Sequence, residues 1–123
     1  MTDMAIANDW SNEERREYER HSVNFYLRVI DLDSDTLLGN VVDISLSGMR
    51  LVSDVPLPVE KTCNARMNIS LGEDYKEQVD FLTTSLWARE DLTPGMYESG
   101  WRNTLSPEAF RSIQRLIDRL SSL

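Results

Sequence analysis

The stretch TCNARMNIS, residues 62–70, alternates without a break: Cys63, Ala65, Met67 and Ile69 fall on one side, Asn64, Arg66 and Asn68 on the other. Successive side chains of a β-strand point to opposite faces, so this run reads as a half-buried strand. The same period begins at Val23, with Val23, Phe25, Leu27 and Val29 facing one way and Asn24, Tyr26 and Arg28 the other. Further strands are expected at about 37–42, at 49–52, where Pro56 and Pro58 stop the run, at 78–88 and at 97–101. Turn chemistry separates them: DSDT at 33–36, LGED at 71–74, and Pro94 with Gly95. Six short strands so punctuated predict a small antiparallel barrel rather than parallel βαβ units.

The chain closes with a helix. Ser106 suits the N-cap and Pro107 the first helical position, and Phe110, Ile113, Leu116, Ile117 and Leu120 make one apolar stripe. Arg111, Arg115 and Arg119 recur on the wet face, so the helix is expected to plug or flank the barrel. The fold class is therefore mainly β: a six-stranded antiparallel barrel, a C-terminal helix and a flexible N-terminal segment. Residues 1–12 carry little pattern and read as a tail, leaving 13–123 as one domain.

Charge removes several functions. Thirteen basic against twenty-one acidic side chains leave a formal charge of −8, without the broad positive field that duplex nucleic acid or anionic lipid requires. A small anion needs only a local group of cations. One cysteine, Cys63, and one histidine, His21, make neither an internal disulfide nor a zinc site. No run is apolar and long enough to span a bilayer, and the polar, acidic start does not read as a signal peptide, so a reducing, cytoplasmic setting is expected. The DLDSD segment, with Asp31, Asp33 and Asp35, imitates a calcium loop. It carries Thr36 where glycine is required and Val42 where a bidentate carboxylate is required, and reads as a solvated turn. His21 lacks a nucleophile-elbow serine, Glu90 and Asp91 read as surface charge, and no glycine-rich phosphate loop is present. The chain is not read as an enzyme.

Against this acidic background stands EERREYER, residues 13–20. One reading is a solvated helix, with Ser11 and Glu14 as a capping box. The other starts from Arg16 and Arg20, which share one side of the chain. Guanidinium groups fork onto phosphate, pair with guanine O6 and N7, or lie over a purine ring. Past the second strand comes DISLSG, with Asp43, Ser45 and Gly48. A carboxylate accepts from guanine N1–H and N2–H, a hydroxyl donates or accepts, and a glycine allows close approach.

The pair RREYER and DISLSG resembles, in order and separation, the RxxxR and D/N-x-S-x-x-G signature of PilZ domains, bacterial receptors for cyclic di-GMP. The likeness runs from about Glu13 through TSLWARE and YESGWRN to the closing helix. It implies a six-stranded antiparallel barrel with a C-terminal helix, Arg16 and Arg20 gripping guanine and phosphate, Asp43 and Ser45 reading a guanine, and Gly48 shaping the turn. Trp87 stands open between walling the pocket and filling the core, and Arg89, two residues on, is a lesser candidate. Arg15 is an extra cation beside the motif, suited to two intercalated cyclic di-GMP molecules with four phosphates between them. The resemblance implies no cofactor beyond this ligand. It implies a downstream protein effector, and a signal made when the arginine segment orders on binding. The alternative is a PilZ-like adaptor that binds a protein partner without nucleotide.

Overall fold

The computed structural model describes residues 19–23 and 27–122. Along the chain run β1 (His21–Ser22), β2 (Arg28–Asp31), β3 (Thr36–Ile44), β4 (Gly48–Ser53), β5 (Thr62–Ser70), β6 (Lys76–Glu90), β7 (Tyr97–Thr104) and α1 (Pro107–Ser121). Hydrogen bonding runs β3–β2–β5–β6–β7–β4, and β4 returns to β3, closing a six-stranded antiparallel barrel. Closure pairs each of β2 to β7 on both sides, the barrel's answer to exposed sheet edges.

The expected first strand is described on either side of residues 24–26. Along one edge of β3, β1 lies opposite Asp43 and Ile44, β2 opposite residues 36–40. Beside these pairs, Val23 N–H donates to Val42 O at 3.0 Å, and Val41 N–H donates to Leu27 O at 2.9 Å. Leu27 and Val29 face inward as the alternation requires, while Phe25 lies outside the described residues.

β5 follows its sequence pattern throughout. Cys63, Ala65, Met67 and Ile69 are all buried, and join Val29, Val41, Met49, Leu51 and Trp101 in one core. The helix covers the end of that core. Ser106 Oγ accepts from Ala109 N–H at 3.1 Å, supplying the expected N-cap. The seated face is Ala109, Ser112, Ile113, Leu116 and Ile117. Phe110 departs from the expected stripe and is 40% exposed, because the small Ala109 occupies the seat at that level. α1 flanks the barrel, packing against β6 and β1. Glu77 of β6 fastens it, accepting from Ser112 Oγ and from Arg115 Nη2, each at 2.6 Å.

Asp31 corrects the reading of DLDSD as solvated throughout. Its side chain is buried, accepts from Asp33 N–H at 2.9 Å and faces Lys61 Nζ at 3.4 Å. Burial works to raise its carboxyl, but hydrogen bonds from Asp33, Ser34 and Lys61 outweigh burial and hold it below the usual carboxylate value. The turn is pinned from inside by a charge rather than left to water.

Candidate functional site

Two one-residue register shifts create the site. On β3, Val41 faces Leu51 of β4, but Asp43 faces Arg50, so Val42 has no opposite number. On β6, Ser85 faces Trp101 of β7, but Trp87 faces Gly100, so Leu86 is the extra residue. Val41 and Ser85 point into the core. Strict alternation would send Asp43 and Trp87 after them, two residues on. A bulge adds one residue and turns the strand beyond it to the other face. Asp43 and Trp87 therefore both face outward, and Trp87 is 38% exposed. The question that the sequence left open for Trp87 is decided by the bulge: it is not core.

The shifted positions line up. Ser22 of β1 is opposite Asp43 of β3, Asp43 opposite Arg50 of β4, Arg50 opposite Gly100 of β7, and Gly100 opposite Trp87 of β6. One row thus crosses five strands of the outer face. Across it runs a chain of alternating charge. Arg20 Nη1 is 3.1 Å from Asp43 Oδ1, and Arg50 Nε is 2.8 Å from Asp43 Oδ2. Arg50 Nη1 then donates to Glu98 Oε1 at 3.0 Å, and Arg89 Nη2 donates to the same oxygen at 2.8 Å. The Arg89 guanidinium lies over the Trp87 ring, 5.0 Å from its centre. Three guanidinium groups, Arg20, Arg50 and Arg89, thus stand against Asp43 and Glu98, and the Asp91 side chain reaches Glu98 from the neighbouring turn. Burial works against the Arg50 charge, but the Glu98 hydrogen bond and the Asp43 charge outweigh it and hold its proton more firmly than usual.

Two glycines permit this packing. A Cβ on Gly100 would stand 2.2 Å from Trp87 Nε1, so the ring lies on bare backbone. A Cβ on Gly48 would stand 2.5 Å from the Trp101 carbonyl oxygen, so Gly48 lets β4 begin against β7. Ser45 is placed inside its own turn. It is 1% exposed, and its Oγ accepts from Gly48 N–H at 3.1 Å and Ser47 N–H at 3.3 Å. Its hydroxyl holds the backbone just beyond Asp43 and does not face solvent.

Of the residues expected from the two motifs, Arg20 and Asp43 come together, with Trp87 and Arg89 on the same strip. Arg15 and Arg16 lie outside the described residues. Sequence reasoning missed Arg50, Glu98 and Gly100. Arg50 carried one signal, the outward phase of a strand whose Met49 and Leu51 face inward. Gly100 carried another, a glycine inside a strand pattern. Nothing in the sequence marked Glu98, which meets its partners only across strands. A groove of about 620 Å³ lined by Leu32, Phe81, Leu82 and Leu105 shares no residue with the strip. Among the described residues, no group of three or more His, Cys, Asp or Glu is placed to hold a metal ion, and no described helix is long and apolar enough to cross a membrane.

Fold and strip together define a small closed-barrel domain with a charged, ring-bearing outer face. The family model for the PilZ domain matches residues 14–119, and the chain belongs to that family. Two solved structures share the architecture. The Bacillus subtilis inhibitor of motility MotI/DgrA superposes with a TM-score of 0.67 at 14% identity, over 85% of this chain and 50% of that one. Escherichia coli YcgR, solved in complex with c-di-GMP, superposes with a TM-score of 0.67 at 22% identity, over 88% of this chain and 46% of that one. The chain thus spans about half the length of each, and at these identities the likeness speaks for the fold. No curated protein matches the chain.

Proposed function

We propose that this protein is a cytoplasmic receptor for cyclic di-GMP, binding it on the strip between Arg20 and Trp87. One observation carries the reading: Arg20 and Asp43, twenty-three residues apart in sequence, meet at 3.1 Å on the outer face. Each comes from one half of the two-part motif. Membership of a family whose solved relatives include a c-di-GMP complex supports the choice of ligand.

Each residue is assigned a role suited to its chemistry. Asp43 accepts from guanine N1–H and N2–H; its two oxygens offer about four lone-pair sites, more than Arg20 and Arg50 occupy. Arg20, more than half exposed, can turn from Asp43 onto a phosphate or guanine edge. Arg16, four residues before it in RREYER, joins it there. Trp87 offers its outer surface to a base. Ser45 and Gly48 aim Asp43 by fixing its turn. Arg15 supplies the further cation that two intercalated ligands need. Binding draws residues 13–20 down against the barrel, and a protein effector reads the altered surface.

Calorimetric titration with cyclic di-GMP tests the reading. Saturable binding by the native protein, abolished in Arg20→Ala, is expected. A native protein that binds nothing, or an Arg20→Ala protein that binds as well, overturns it. A ratio of two ligands per chain that falls in Arg15→Leu supports the intercalated pair, and a native ratio of one removes it. Amide exchange across residues 13–20 that slows on binding supports the ordering step; unchanged exchange there refutes it.

A further inference from the structure

We infer that Glu98 is a resident competitor for the ligand's phosphates, holding Arg89 in the empty receptor and thereby lowering its affinity. The inference rests on the receptor reading and adds a residue that neither motif contains. Glu98 Oε1 receives both Arg50 Nη1 at 3.0 Å and Arg89 Nη2 at 2.8 Å. One carboxylate oxygen therefore occupies donors of two guanidinium groups, as a phosphate oxygen would. The carboxylate sits on the same outer face as Asp43 and Trp87, yet only 9% of its side chain is exposed, against 64% for Arg89 and 38% for Arg50.

That difference in exposure decides which arginine can leave. A carboxylate so covered cannot be stripped of both partners without standing as an uncompensated buried charge. Arg50 is wedged between Asp43 and Glu98 and stays. Arg89 is solvated along most of its length and rests on the Trp87 ring at 5.0 Å. It can pass to a ligand phosphate while Glu98 keeps Arg50. Two costs fall on binding as a result. One Arg89–Glu98 pair must open, and the dianion must approach a fixed negative charge. The same arginine also covers the Trp87 surface on which a base would stack, so its release clears that surface as it engages the phosphate.

The charge can be removed without the shape. Glu98→Gln keeps a carbonyl oxygen able to accept from both arginines and deletes the negative charge. A unit charge about 10 Å from a dianion, at the dielectric of water, is worth roughly a fourfold change in binding constant at low salt, fading as salt screens it. The experiment is cyclic di-GMP titration of native and Glu98→Gln proteins at low and at physiological salt, with thermal melts of both. The expected result is roughly fourfold tighter binding by the variant at low salt, with the advantage shrinking as salt rises. A purely scaffolding Glu98 gives the opposite, a lower melting temperature with equal or weaker binding, and that outcome overturns the inference. If Glu98→Gln does not fold, Arg89→Ala decides. It takes away the cation to be handed over and should weaken binding several-fold; unaltered affinity overturns the inference. Native protein that binds no cyclic di-GMP removes the receptor reading and this inference with it, whereas native binding without gain in the variant removes this inference alone.

Discussion

Gly100→Ala is the sharpest probe of the outer strip. The added methyl would stand 2.2 Å from Trp87 Nε1, 2.4 Å from Cε2 and 2.8 Å from Cζ2. To reach ordinary contact at 3.4 Å the ring must retreat by about 1.2 Å. The backbone cannot yield instead, since Gly100 is paired on one side with Arg50 and on the other with Trp87. The ring, 38% exposed, must lift off the sheet. Losing roughly 80 Å² of apolar contact costs about 2 kcal/mol. Alanine recovers about 0.5–1 kcal/mol of the backbone entropy that glycine loses in a strand. The net destabilisation is about 1–1.5 kcal/mol, or roughly 3–7 °C in Tm for a chain of this size. A circular-dichroism melt reads the stability and tryptophan emission reads the ring. Trp101 is buried with its indole N–H on Ser99 Oγ, and Trp10 is common to every variant, so a red shift absent when Gly100→Ala is made in a Trp87→Phe background reports Trp87. If Trp87 stacks on a base, cyclic di-GMP affinity falls by about fivefold or more. A variant that melts and emits like the native protein shows that Trp87 does not lie on Gly100, and the outer strip dissolves.

Other perturbations test other joints. Burial works to raise the Glu77 carboxyl, but hydrogen bonds from Ser112 and Arg115 outweigh it and hold the group below its ordinary value of 4.5. The unfolded chain therefore takes up the proton first, so the stabilisation is whole above about pH 4.5 and is lost as pH falls through the lower folded value. Urea melts against pH should show a flatter acid limb in Glu77→Gln; an unchanged slope argues against the Glu77 fastening of α1. Burial pushes the Cys63 thiol up, and nearby Asp31 adds to the effect, so iodoacetamide should label it slowly in native protein and readily in urea; rapid native labelling would place Cys63 outside the core. Ser45→Ala strips the acceptor from the Gly48 and Ser47 N–H groups and should cost about 1–2 kcal/mol in denaturant unfolding. It should also weaken nucleotide binding by loosening Asp43. Native-like stability would show that the turn stands without the hydroxyl.

Much of the molecule was legible as pattern. In β5 the period of two already separates Cys63, Ala65, Met67 and Ile69 from their wet neighbours, because a strand without a bulge has no other way to lie. Ser106 and Pro107 mark the start of α1 through local backbone chemistry that needs no distant partner. Arg20 and Asp43 could be paired from their motifs alone. Phe110 shows the limit for helices: a stripe names candidates for burial, but the surface beneath chooses among them.

What the chain could not state by itself was where the period breaks and what lies across each break. Read along β3 and β6, Asp43 belongs with Val41 and Trp87 with Ser85; Val42 and Leu86 reverse both. A bulge is a property of two strands, visible only when a partner strand fails to supply an opposite number. Arg50, Glu98 and Arg89 likewise come from three strands and acquire meaning only through side-by-side register. Asp31 looks like one more turn carboxylate until Lys61 arrives from the far end of another loop. Local alternation and capping act over a few residues and are written in the order of the amino acids. Charge pairing and face reversal act through space between neighbouring strands, and barrel closure alone decides which strands are neighbours.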